Sequence, residues 1–161
     1  YSLQGSIALI KQVNPSIFII TDDNYLVFKV EKIGIERGAG ASAFSTFKLF
    51  GPEGIGCIVS DAGTIGKGRE DFYSGGSQVQ GTEALETLRS MVFAPVSLAI
   101  QKEVVDTTVQ TIKNANIPGI RDSSVANAQS LVILVEFERP IATKVLEKAI
   151  ALGAAPHPVS S

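Results

Sequence analysis

The sequence has one cysteine, one histidine and no apolar run long enough to cross a bilayer. Cys57 has no second thiol to pair with, which excludes an internal disulfide and leads us to expect a reducing, cytoplasmic setting. It sits in the apolar run Gly54-Ile-Gly-Cys57-Ile-Val59, where a cysteine serves as a small buried hydrophobe. His157 stands alone between two prolines, and no cluster of Cys, His and carboxylates has metal-ligand spacing, so no metal site is expected. An excess of one charge is also missing. Fourteen Lys and Arg against sixteen Asp and Glu leave a net charge of −2, which gives no reason to expect nucleic acid or an anionic membrane as partner. No basic stretch followed by an apolar run and a small-residue cleavage site opens the chain, so a leader is not expected. The chain starts at Tyr1 inside a helical pattern and ends in Pro156-His-Pro-Val-Ser-Ser161 without a terminal element, so both ends read as cut.

The 161 residues are 45% hydrophobic and 19% charged, enough to bury a core and to form one domain or one and a fraction. Leu3, Ile7 and Ile10 have helical spacing, and Asn14-Pro15 ends that helix. Ile17-Phe-Ile-Ile20 reads as a strand buried on both faces of a parallel sheet, broken off at Thr21-Asp22-Asp23-Asn24-Tyr25. Polar residues at the carboxyl end of such a strand are where open α/β sheets place ligands. After a glycine-rich stretch from Gly34 to Gly40 come Ala43-Phe-Ser-Thr-Phe-Lys48-Leu-Phe50, the turn Gly51-Pro52-Glu-Gly54-Ile-Gly56, and a second buried strand from Cys57 to Ser60. The two strands read as a hairpin or near-hairpin with Lys48 near its bend.

Residues 82–116 read as one helix with Thr82 as N-cap and the stripe Leu85, Leu88, Val92. Pro95 is expected to kink or split it, and the stripe resumes at Leu98, Val105, Val109 and Ile112. Residues 131–137 form a strand. Pro140 opens a final helix whose face is Ala142, Val145, Leu146, Ala149 and Ile150, closed by Gly153. Residues 1–95 are expected to form one domain, and 96–161 a linking helix with part of a small αβ domain.

Lys48 lies about two dozen residues after the strand that ends in Asp22-Asp-Asn-Tyr25, inside Ser45-Thr-Phe-Lys48 and before Gly51-Pro-Glu-Gly54-Ile-Gly56. This order of strand, Asp, Ser-x-x-Lys and Gly-Pro-x-Gly-x-Gly resembles fold-type I enzymes that use pyridoxal 5'-phosphate (PLP). Class V aminotransferases and cysteine desulfurases carry a like segment. Tyr73-Ser-Gly-Gly76-Ser-Gln78 resembles the glycine-glycine-glutamine segment that follows in them. Asp22 to Tyr25, Phe44 to Gly56 and Tyr73 to Leu88 look closest to an uncharacterised bacterial branch related to the cystathionine-lyase and aluminium-resistance-like proteins.

The resemblance implies the large-domain portion of a PLP-transferase-like α/β fold with a mostly parallel sheet, followed by the start of a small αβ C-terminal domain. It implies an aminotransferase or a C–S or C–N lyase that acts on an amino acid or amino sugar. Lys48 would be the Schiff-base lysine, holding the cofactor as an internal aldimine and then moving the α-proton. A lysine with that task needs an apolar pocket. Ser45 would donate to the phosphate. One of Asp22 and Asp23 would pair with the pyridine nitrogen. Asp22 is favoured, because family members often place a residue that bonds the ring hydroxyl three positions later, and there Tyr25 is a competent donor and Leu26 is not. Gly75 and Gly76 would approach the phosphate of the neighbouring subunit in a homodimer. The phosphate-cupping turn and the stacking aromatic lie upstream in such enzymes and the carboxylate-gripping arginine downstream, so the chain reads as the centre of a longer enzyme and is expected to bind PLP poorly, or not at all, by itself.

Other readings stand beside these. Lys48 between Phe47 and Leu49 has the form of an edge-strand lysine reaching for water, and the aspartates that of simple caps. Ser45-Thr-Phe-Lys48 also has the Ser-x-x-Lys form of β-lactamases, yet their Ser-Asp-Asn and Lys-Thr-Gly partners are absent. Gly63-Thr-Ile-Gly66-Lys67-Gly68 lacks Walker spacing and fits the start of a surface helix. A non-catalytic α/β domain for assembly or binding is the alternative from a different class.

Overall fold

The computed structural model describes residues 2–73, 78–126 and 131–155. The chain divides into two compact units, residues 1–101 and 102–161. Unit 1 opens with α1 (Leu3–Val13), capped by the Ser2 hydroxyl, which accepts from the Gly5 amide, and closed at Asn14. Only Ile7 of its apolar positions is buried. Next come β1 (Ile20–Asp22), β2 (Ala41–Ser45) and β3 (Gly56–Ser60), with a 3-10 turn at Ile35–Arg37 before β2 and another at Thr46–Leu49 after it. Then follow α2 (Ala62–Asp71), capped by Asp61, and α3 (Gly81–Asn114), which continues into unit 2. Unit 2 adds β4 (Ile120–Val125), β5 (Ile133–Phe137) and α4 (Ala142–Ala151).

The fold is mixed α/β with small sheets. Among the described residues, β1 pairs with β2 in parallel, β2 with β3 antiparallel, and β4 with β5 antiparallel. A mostly parallel sheet is therefore not what these residues build, because the glycine-rich turn after Lys48 folds β3 straight back on β2. The expected strand at Ile17–Ile20 also moves. Pairing starts only at Ile20, and Phe18 and Ile20 are 51% and 64% exposed, as is much of β3, with Ile58 at 63%. Runs that look doubly buried in sequence cover one face of the sheet and leave the other open.

The pleat decides which face is which. Register places Ile20 beside Ala41 and Ser60, Asp22 beside Ala43 and Ile58, and Ser45 beside Gly56, all on one face, which is closed over Ala41 and open from Asp22 and Ile58 onward. Thr21, Ser42 and Phe44 alternate to the buried face, joined by Asp23 just beyond the strand. Three buried polar side chains, Thr21, Asp23 and Ser42, meet there. Thr21 Oγ1 donates to Asp23 Oδ2 at 2.7 Å and lies 3.2 Å from Ser42 Oγ. The Gly34 amide also donates to Asp23 Oδ2, and the Ile35 amide to Ser42 Oγ. The other Asp23 oxygen is buried without a protein partner.

The long helix begins at Gly81, so Thr82 is inside it rather than capping it. The Gln80 amide donates instead to the Glu83 carboxylate, the acid of the first turn. The helix runs unbroken through Pro95. Its packed face is Thr87, Ala94, Leu98, Val105 and Val109, while Leu85, Leu88 and Val92 point outward. Leu98, Val105 and Val109 of the expected stripe are buried and Ile112 is half-buried; the first half is exposed, because apolar residues lie on opposite sides of this helix and spacing alone does not say which side packs. In unit 2, Ser123 is buried and donates to the Val109 carbonyl. Pro140 precedes the last helix by two residues and Ile141 takes the cap position; Gly153 closes that helix with φ +96°. Among the described residues, no helix is long and apolar enough to cross a membrane.

Gly34 has no room for a side chain: a Cβ would sit 1.9 Å from Thr21 Oγ1 and 2.6 Å from Thr21 Cβ. Gly34→Ala must push Thr21 out of its hydrogen bond with Asp23. It is expected to destabilise the protein by ~1–3 kcal/mol, read as a lower urea midpoint with an unchanged m-value.

Candidate functional site

A cleft of about 620 Å³ opens on the exposed sheet face. Its lining includes Asp22, Asn24, Ser45, Ile55, Gly56 and Cys57. The β2 residues that face this cleft, Ala43 and Ser45, are small, so the middle strand leaves space above the sheet. The cleft lies at the carboxyl ends of β1 and β2, where parallel strands present ligand groups.

Asp22 ends β1 and is exposed on the cleft side; Asp23, one residue later, points to the buried side. Asp22 Oδ1 accepts from both the backbone and the side-chain amide of Asn24, at 3.1 and 2.8 Å. The first of these bonds is an Asx-turn, which short polar residues form readily at strand ends. Ser45 ends β2, and its amide and hydroxyl both donate to Asn24 Oδ1, at 2.7 and 2.8 Å. The hydroxyl proton is thus used inside the protein, and Ser45 faces the cleft as an acceptor.

Lys48 lies in the 3-10 turn that follows β2. With three residues per turn, Thr46 and Leu49 share a side. Both are buried, Thr46 with its hydroxyl donating to the Pro52 carbonyl at 2.8 Å. Phe47 and Lys48 are thereby turned outward. Lys48 is half-buried, not sealed in a dry pocket, and neither it nor Tyr25 lines the cleft. Its Nζ donates to the Tyr25 hydroxyl at 3.0 Å and lies 4.3 Å from the Phe47 ring centre and 4.8 Å from that of Tyr25. Lys29 Nζ approaches the same Tyr25 ring at 5.6 Å. Burial pushes the Lys29 ammonium below its usual pKa; Tyr25 opposes this and the charge on Lys48 adds to it.

The structure therefore places Asp22 and Ser45 at one cleft, joined through Asn24, and pairs Tyr25 with Lys48 at the turns after the same two strands. Gly75, Gly76 and His157 lie outside the described residues. Sequence reasoning missed Asn24, whose signal was the Asp-x-Asn spacing of an Asx-turn, and Lys29, whose contact with Tyr25 has no sequence signature. Phe28 and Phe50, in the turns that carry Tyr25 and Lys48, both have φ +62°. Side chains rarely adopt such angles, and they concentrate at functional sites. Among the described residues, no group of three or more His, Cys, Asp or Glu is placed to hold a metal.

Comparison with known proteins adds three findings. Residues 106–161 match the family described as YhfS-like, C-terminal domain. The chain is 51% identical over 142 residues to the uncharacterized protein YhfS of Escherichia coli (strain K12), a match that covers 88% of this chain and 39% of that protein. It is also similar to the crystal structure of the pyridoxal-5'-phosphate dependent protein YhfS from E. coli, with a TM-score of 0.87 and 48% identity over 99% of this chain and 44% of that one. The chain thus spans less than half the length of these relatives.

Two outcomes follow from the site. Burial raises the Cys57 thiol above its usual pKa, so at pH 8.5 it is expected to react with a maleimide at least ~threefold more slowly than in the urea-unfolded chain, measured by mass. In the same sense, as pH climbs past 9.0 the unfolded chain loses that proton first, and this contribution to stability falls. Phe50→Gly, which relieves a left-handed backbone at an exposed side chain, is expected to raise stability by ~1 kcal/mol on urea unfolding.

Proposed function

We propose that this chain is the lysine-bearing part of a pyridoxal-5'-phosphate-dependent enzyme of the transferase or lyase type, acting on an amino acid or amino sugar. The observation that carries the reading is the placement of a carboxylate and an amine at the ends of two adjacent parallel strands, Asp22 as the last residue of β1 and Lys48 just past β2, beside an open-face cleft. The solved structure that this chain resembles over nearly all its length is described as PLP-dependent, which supports it.

The residues present fit the cofactor. The cleft falls within the roughly 300–1,000 Å³ of small-ligand sites. Asp22 leaves Oδ2 outside its bonds with Asn24, an acceptor suited to a protonated ring nitrogen. Lys48 would supply the amine that holds the cofactor, and Tyr25 a phenol beside it. When bound, PLP draws electrons from the carbon that carries the substrate amino group. The chain's own part is to hold charge and to move a proton: Lys48 Nζ is the base, and the Tyr25 hydroxyl oxygen, 3.0 Å away, accepts from it and fixes its direction. Ser45 can reach a phosphate only by turning its proton away from Asn24. Gly75 and Gly76 are proposed to serve the phosphate of a second subunit.

The test is a visible spectrum of the full-length protein with PLP. An absorption band is expected that borohydride abolishes, with the reduced cofactor recovered on the peptide that contains Lys48. Lys48→Ala is expected to lose both band and label. No band in the wild-type protein overturns the reading in favour of a non-catalytic assembly or binding domain, and a label on another lysine overturns the role given to Lys48.

A further inference from the structure

Asn24 makes four hydrogen bonds with two residues. Its Nδ2 and backbone N–H both donate to Asp22 Oδ1, and its Oδ1 accepts from the Ser45 amide and hydroxyl. The amide orientation is dictated by chemistry, since a backbone N–H can only donate and an ionised carboxylate can only accept. A planar side-chain amide therefore satisfies both neighbours at once. Aspartate would offer Ser45 its acceptor but present a second carboxylate to Asp22; alanine would offer neither.

The position of this residue gives the bonds a consequence. Asp22 and Ser45 are the last residues of neighbouring parallel strands, and the 3-10 turn with Lys48 leaves directly from Ser45. The sheet ladder does not extend to the Asp22 side chain. Asn24 is the link that ties that carboxylate to the strand from which the lysine turn springs.

We propose that Asn24 is a positioning residue, which sets the Asp22 carboxylate and the Ser45–Lys48 turn in one frame; its consequence for cofactor binding rests on the reading above. Two variants of the full-length protein separate its two arms. Asn24→Asp keeps the acceptor for Ser45 and loses the donor to Asp22, whereas Asn24→Ala loses both.

In protein without cofactor, amide hydrogen exchange at Ser45 is expected to speed up ~tenfold in Asn24→Ala and to stay within ~twofold of wild type in Asn24→Asp. Asp22→Ala is expected to speed exchange of the Asn24 side-chain amide protons. The dissociation constant for PLP, read from the visible band, is expected to rise ~tenfold in both Asn24 variants, with circular dichroism unchanged. Should Asn24→Ala misfold, the near-isosteric Asn24→Asp carries the comparison. Unchanged Ser45 exchange in Asn24→Ala, or wild-type PLP affinity in Asn24→Asp, overturns the proposal while leaving the PLP reading intact. If the wild-type protein shows no band at all, the PLP reading fails, and the exchange data alone decide whether Asn24 holds the two residues together.

Discussion

The site depends on the parallel pairing of β1 with β2, which brings Asp22 level with Ala43 and continues one residue further as the Asp23 amide donates to the Ala43 carbonyl. From this register the pleat assigns sides. Two aspartates adjacent in sequence become one exposed carboxylate above the sheet and one buried beneath it. A slip of one residue would exchange them. It would put Asp23 at the cleft and Asp22 under Gly34, with Thr21, the hydroxyl donor that Asp23 has there, turned to the open face.

What secures that register is the polar cluster below the sheet. Thr21, Asp23 and Ser42 are all buried, and each has at least one partner on another segment: Thr21 beside Ser42, Asp23 at Gly34, Ser42 at Ile35. Buried hydrogen bonds of this kind add little net stability each, about 1 kcal/mol, but to leave one unmade costs more. The cluster therefore discriminates against other pairings more than it strengthens this one. The close contact of Gly34 with Thr21 serves the same end, since only a residue without Cβ lets the chain pass so near.

Above the sheet the arrangement is looser. Lys48 is aimed by its buried neighbours Thr46 and Leu49 and held by one hydrogen bond and two ring faces, worth about 0.5–1 kcal/mol each when exposed. The large apolar residues at the rim, Ile20 and Ile58, are exposed. In a relative more than twice as long, such a face has further chain available to cover it.

Local grammar was enough to find most elements from the sequence. Leu3, Ile7 and Ile10 mark α1, the stretch Gly63 to Gly68 marks the start of α2, and Gly153 marks the end of α4, because caps, breakers and a 3.6-residue period act within a few residues. The order of Asp22, Ser45 and Lys48 was legible for the same reason. β4 was not: its Arg121-Asp122-Ser123-Ser124 centre is polar and carries no strand period, and it forms by pairing with β5 while Ser123 bonds the helix carbonyl at Val109. Nor was the outward turn of Leu85, Leu88 and Val92 legible, since either side of α3 has the residues to pack. Sequence by itself determined which chemical groups stand near the strand ends. Only tertiary structure decided which of them share a face and that Asn24 joins Asp22 to Ser45, because those facts follow from register between segments some twenty residues apart, and register is a property of pairs of strands.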